Sequence, residues 1–195
     1  MAERTILAHC YGYDRLPNGD VQCNARGQLQ IQAILELEKQ NAIDTVFLAG
    51  GFLWGYSSPS LAGTMKRELL EKGSELNIVT SPHAFTTGEE VDHYLEESAE
   101  RDWDGFTSLA NATHLPRIMH IYASRGVEAK FMSSEVTIRR DERYQNFIEL
   151  LKNTPVEKKF RWREEMAFFA YVHGLESFLD WFAHRTRINE FHPAF

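Results

Sequence analysis

Five short apolar runs, each separated from the next by a stretch of helical character, constrain this chain more than any other feature. They are Thr5–Cys10, Asp44–Ala49, Leu76–Thr80, Phe106–Ala110 and Val127–Met132. Short apolar runs bounded by turn residues read as buried strands. Asn24 can cap a helix running to about Gln40, with Leu29, Ala33, Ile34 and Leu37 on one face. A second helix is predicted from Pro59 to Lys72, with Gly73 as its stop. Thr86 or Thr87 can form a capping box with the glutamate three residues on, Glu89 or Glu90, and open a third helix to about Trp103. A fourth, with Thr113 as N-cap and Pro116 in its first turn, ends at Arg125-Gly126. Strands alternating with helices give a mainly parallel sheet covered on both faces, because each crossover must return over the sheet. The expectation is therefore an α/β core over residues 1–137.

From Ile138 the chain turns helical and aromatic. Arg143–Lys152 reads as one helix, Pro155 as an interruption, and Lys159–Val172 and Leu175–Arg187 as two more, parted near Gly174. Residues 138–195 are expected to form a helical extension packed on the core, with Phe160, Trp162, Phe168, Phe169, Tyr171, Phe178, Trp181 and Phe182 covering sheet or partner surface. A cap on the same core is favoured over a dimerisation arm, and a homodimer stays open.

At 195 residues the chain suits one domain, which buries roughly 70% of its unfolded surface. A net charge of −7 argues against nucleic acid and anionic membrane surfaces as partners. No run approaches the ~18 apolar residues of a membrane span. The first residues lead straight into a strand without the pattern of a signal peptide. Cys10 and Cys23 are too few for a zinc site and read as reduced thiols, so a cytoplasmic location is expected.

The chemistry gathers at the predicted carboxyl ends of the strands. The stretch Phe106–Arg117 runs from a strand into a polar turn and then a helix, with His114 and Arg117 three residues apart and so on one side. Open α/β sheets bind ligands at that edge. Gly50-Gly51 ends the second strand and lets a ligand or a loop backbone approach. Thr86 and Thr87 either cap a helix or hold an anion there. Arg26 lies one turn into the first helix, within reach of the cleft. His114 suits acid–base work, though no nucleophile is specified beside it. His9, His83, His93 and His120 share no metal-ligand spacing and read as structural or exposed. The loop after Cys10 holds only Gly12 and Gly19, so the dinucleotide fingerprint is absent, as are Walker, His-Glu-x-x-His and Gly-x-Ser-x-Gly sequences.

The order of these features resembles a known family. Asn24-Ala25-Arg26, Ala49-Gly50-Gly51, Ser60-Leu61-Ala62-x-x-Met65, Thr86-Thr87-Gly88-Glu89-Glu90 and Ala112-Thr113-His114-Leu115-Pro116-Arg117 follow one another as in the domain-of-unknown-function family that includes the bacterial YdcF, SanA and ElyC proteins. The resemblance covers roughly residues 4–135, and Arg161–Ala170 is similar to the Arg-Glu helix that often ends those proteins. It implies a three-layer Rossmann-like fold with a polar cleft. It also implies a small-molecule ligand, nucleotide-like or of the S-adenosylmethionine type. Leu61 stands where the family commonly has glutamate, and Glu90 where it has asparagine. The expected ligand-binding residues are Gly12, Arg26, Gly50, Gly51, Ser60, Thr86, Thr87, Glu90, Thr113, His114 and Arg117, with His114 as the catalytic candidate. Two other functions compete: an enzyme acting on a phosphorylated or carboxylated metabolite, and an interaction protein using its C-terminal aromatic helices.

Overall fold

A computed structural model describes residues 4–10, 12–52, 58–103, 105–139, 144–145, 148–149, 154–175 and 177. Its core is the parallel sheet expected from the alternation. In chain order the elements are β1 (Thr5–His9), β2 (Tyr13–Arg15), β3 (Val21–Cys23), α1 (Ala25–Lys39), β4 (Thr45–Ala49), α2 (Leu61–Glu71) and β5 (Asn77–Ser81). There follow α3 (Thr87–Arg101), β6 (Thr107–Ala110), α4 (Leu115–Ser124), β7 (Lys130–Ser133), α5 (Ser134–Ile138) and α6 (Pro155–Val172). Five strands form one sheet in the order β5-β4-β1-β6-β7, every neighbouring pair parallel. The order reverses between β1 and β6, so the chain is a three-layer Rossmann-like α/β protein whose crevice opens where those strands end.

Strand alternation distributes the core. Ile6, Ala8, Val46, Leu48 and Leu109 face α1 and α2 in one apolar cluster, and Leu7, Phe47, Ala49 and Ala110 face α3 and α4 in the other. Tyr171 of α6 joins that second cluster, and α6 lies against α4. The register Leu7↔Phe47 and Leu7↔Ser108 brings the last residues of β1, β4 and β6 to one edge.

Several local expectations need correction. The loop between Cys10 and Cys23 contains an antiparallel hairpin, β2–β3, turned by Pro17, Asn18 and Gly19, the last at φ +89°. Both cysteines are buried free thiols. The last strand begins at Lys130 rather than Val127, and Ser133 caps the unanticipated helix α5 directly after it. Pro155 opens α6 instead of interrupting a helix, as proline does where no N–H is needed. Of Arg143–Lys152, the described Tyr144, Gln145, Ile148 and Glu149 are helical, and the Tyr144 hydroxyl donates to Gln32 Oε1 at 2.7 Å. Most of the predicted Leu175–Arg187 helix, with Phe178, Trp181 and Phe182, lies outside the described residues. No described helix is long and apolar enough to cross a membrane.

Tyr94 anchors α3 to the sheet. Its ring centroid lies 5.5 Å from that of Phe47, 5.9 Å from Trp103 and 6.1 Å from Phe106, and its hydroxyl donates to Thr5 O at 3.3 Å. Burial, partly offset by the Thr107 backbone, pushes the phenol up to about 12. The folded state thus keeps the proton longer than the unfolded chain, whose tyrosines titrate near 10. The stabilisation is present below pH 10 and is lost as pH rises through 12, by about 3 kcal/mol. Urea unfolding between pH 9 and 12 checks this; Tyr94→Phe should flatten the alkaline fall by that amount, and an unchanged slope would reject the assignment.

Candidate functional site

His9 is the last residue of β1, and Asn111 to His114 form the turn between β6 and α4. The parallel pairing of these two strands therefore sets two imidazoles side by side at the switch point. Their centroids are 5.5 Å apart and their planes at 80°. Both are buried, at 1% and 4% exposure.

Each imidazole meets a carboxylate through Nδ1. Glu90, four residues into α3, lies with Oε2 2.6 Å from His9 Nδ1. Glu164, brought in by α6, lies with Oε2 2.7 Å from His114 Nδ1. Arg117, one turn into α4, donates through Nη2 to Glu164 at 3.2 Å (Oε1) and 3.1 Å (Oε2). The same Nη2 is 2.9 Å from His114 Nδ1. A guanidinium cannot donate to a protonated nitrogen, so the network decides the tautomer. With Glu164 ionised, Nδ1–H pointing at the carboxylate satisfies His114 and leaves Arg117 to the same carboxylate. His114 Nε2 then accepts from the Thr87 hydroxyl, at a long 3.4 Å.

The charges support that assignment. Burial lowers the His114 imidazole to about 4, against the pull of Glu164, and Arg117 and His9 lower it further. Burial alone would raise the Glu164 carboxyl, but His114, Arg117 and Arg26 together hold it down at about 2. Near neutral pH the site thus holds a neutral His114 beside an ionised Glu164. On the other side of the turn Arg26, 6% exposed, donates through Nη1 to Asn111 Oδ1 at 3.0 Å and to Thr113 Oγ1 at 3.3 Å. His9 Nε2 is buried and has no hydrogen-bond partner among the described residues. A buried polar atom left so is rare and calls for a reason.

Of the residues expected from sequence, Arg26, Thr87, Glu90, Thr113, His114 and Arg117 converge on this turn. Thr113 does not cap α4 as anticipated. The cap position is His114 itself, with no side-chain cap bond, and Thr113 accepts from Arg26. The glycine pair serves the chain's own packing. A Cβ on Gly50 would lie 2.7 Å from Cys10 Cβ and 2.9 Å from Leu61 Cβ, and one on Gly51 2.8 Å from Ala84 O. Ser60 caps α2 by accepting from Gly63 N–H, and Thr86 forms the capping box with Glu89. Gly12 lies against Asn24 at the start of α1, its carbonyl accepting from Asn24 N–H at 3.1 Å.

His9, Asn111 and Glu164 are the site residues that sequence reasoning passed over. The position of His9 at the very end of the first strand was a usable signal, because that strand's carboxyl end borders the switch point whenever the order is of this type. Glu164 sits some fifty residues beyond His114, in a helix flagged only by resemblance. Fold and site together define a Rossmann-like α/β protein with a buried, mixed-charge histidine–carboxylate centre at the carboxyl edge of its sheet. No family model, curated protein or solved structure matches the chain.

Proposed function

We propose that this chain binds a small anion-bearing metabolite, phosphorylated or carboxylated, at the carboxyl ends of β1 and β6, and acts on it as a hydrolase or transferase. One observation carries the proposal: two buried imidazoles, each fixed by a carboxylate on Nδ1, meet edge to face at the switch point, with His9 Nε2 open. Burying His9, Glu90, His114, Glu164 and Arg26 together gives little net stability, since apolar side chains of like volume would serve as well or better. Buried ionisable groups gathered at such an edge, with His114 and Glu164 both shifted from their ordinary values, are characteristic of working sites. Arg26 and Arg117 supply the positive charge for an anion, and the imidazoles face its reacting group.

A nucleotide-like or S-adenosylmethionine-type ligand ranks second, supported by the resemblance to the YdcF-type family. Glu90 and Glu164, which would meet a sulfonium, already engage His9 and the His114–Arg117 pair. β4 runs out into Ala49 and Gly50, with no acidic side chain to grip a ribose.

A thermal-shift and turnover screen should cover phosphomonoesters, carboxylic esters, sugar phosphates, nucleotides and S-adenosylmethionine. A bound anion at 100 times its Kd is expected to add ~2.7 kcal/mol of stability. Arg26→Ala should remove that gain, and His114→Gln should remove turnover while leaving the circular dichroism spectrum intact. A shift confined to S-adenosylmethionine would install the second reading instead, and silence across all of these anions would reject both.

A further inference from the structure

We propose that His9, Glu90 and His114 together hold a divalent transition-metal ion of the zinc class. One donor atom from each lies within 4.8 Å of the others, and all three side chains are buried. Donors each ~2.0–2.2 Å from one cation can be no more than ~4.4 Å apart. Closing the cluster on an ion therefore needs the donor atoms to draw in by a few tenths of an ångström and Glu90 to turn from His9 Nδ1 toward the ion, a side-chain rotation.

Three further features point to a cation rather than to an ordinary buried polar cluster. The first is the His9 ring, 1% exposed, whose Nε2 has no partner among the described residues. A metal ion would satisfy that nitrogen, and a water would need two to four polar neighbours. The second is the carboxylate on the far nitrogen of His114, Glu164 on Nδ1. Metal-bound histidines are normally oriented in this way, the carboxylate fixing the tautomer and raising the ligand's basicity. The third is the slack contact between Thr87 Oγ1 and His114 Nε2 at 3.4 Å, which a cation can displace at little cost.

Two imidazoles and one carboxylate form a donor set of intermediate softness, suited to Zn²⁺, Co²⁺ or Fe²⁺ and poorly to Ca²⁺ or Mg²⁺. Three protein ligands leave coordination positions open, the arrangement of a catalytic rather than a closed structural site. This inference rests on the same crevice as the proposed function and deepens it: a cation would add the positive charge that an anionic ligand needs beside Arg26.

The test uses the full chain, stripped with EDTA and dialysed, then titrated with Co²⁺ alone and with Zn²⁺ alone. One equivalent of Co²⁺ should produce the visible absorption of a low-coordinate site, and one of Zn²⁺ should abolish it. His9→Gln and Glu90→Gln should each weaken binding by a hundredfold or more, while His83→Gln at an exposed position should not. Arg26→Ala separates the two proposals, because it should lose the anion and keep the Co²⁺ spectrum. Co²⁺ binding without any anion binding would uphold the cation and reject the proposed function. Anion binding by a folded wild-type protein that takes up no Co²⁺, or equal Co²⁺ affinity in His9→Gln, would overturn the cation site alone.

Discussion

Glu164→Ala is expected to lower the unfolding free energy by about 3–5 kcal/mol, the usual cost of removing one partner from a buried ion pair. Glu164 is 9% exposed and is the shared acceptor for Arg117 Nη2 and His114 Nδ1. Truncating it strands a buried guanidinium and an imidazole N–H without their shared acceptor. Arg117 has little room to compensate, since its Nε is already buried without a hydrogen-bond partner among the described residues. For a chain of 195 residues, each kcal/mol moves the melting temperature by roughly 2–4 °C, so the drop should be roughly 6–20 °C. Glu165→Ala, next along α6 and exposed, is the control and should stay within about 0.5 kcal/mol. Calorimetry of the three proteins decides the matter. A loss below about 1 kcal/mol would mean that the carboxylate is not the charge partner of this site.

That result would also explain how α6 is held. Among its exposed side chains are Trp162, Met166, Phe169 and Val172. Of its described side chains Glu164, Ala170 and Tyr171 are buried, and the Phe168 ring meets His120 of α4 with centroids 6.1 Å apart, so the attachment to the core draws on these. The Arg117 guanidinium lies 5.9 Å from the Tyr171 ring, so Arg117 meets both Glu164 and Tyr171, two turns apart on α6. Loosening α6 would open His114 to water from the side that Glu164 now closes.

The alternation of strand and helix was legible because each sheet strand is short, apolar and bounded by turn residues, and five such runs admit few other architectures. Strand ends were legible only to within a few residues: β7 starts three residues late because Val127 and Ala129 pack against the core without entering the ladder. At the site, His114 and Arg117 could be placed together because three residues of helix fix their separation. His9 and Glu164 could not, since their partnership depends on strand order and on where a distant helix docks, and neither is written in local pattern. Glycine shows the same limit. A ligand or a loop backbone was expected to come close at Gly50-Gly51, and the structure brings Cys10, Leu61 and the Ala84–Phe85 loop there. Sequence shows that something must come near a glycine pair, and only the fold shows what.

Acid should destabilise the protein in two stages, and the first belongs to His114. Its folded pKa, about 4, lies below the 6.5 of an unfolded histidine because burial penalises the charged ring. The native state therefore binds fewer protons than the unfolded chain between those values. Stability is complete above pH 6.5 and declines as pH falls toward 4, by about 3 kcal/mol. The groups facing the ring are Glu164 on α6, Arg117 on its own helix, Thr87 on α3 and His9 on β1, and of these Glu164 opposes the shift. Below pH 4.5 Glu164 takes over: held at about 2 when folded, it contributes stability that is lost as its carboxylate is protonated. Asp44, held down at about 2 by Arg4 on the surface, titrates in that second window and not in the first. Urea midpoints from pH 7.5 to 3.5 in EDTA, where no cation competes with the proton, separate the stages. His114→Gln should flatten the fall between 6.5 and 4 and leave the lower one in place. If wild type and His114→Gln lose stability in parallel through the first window, the buried neutral imidazole is not what sets it.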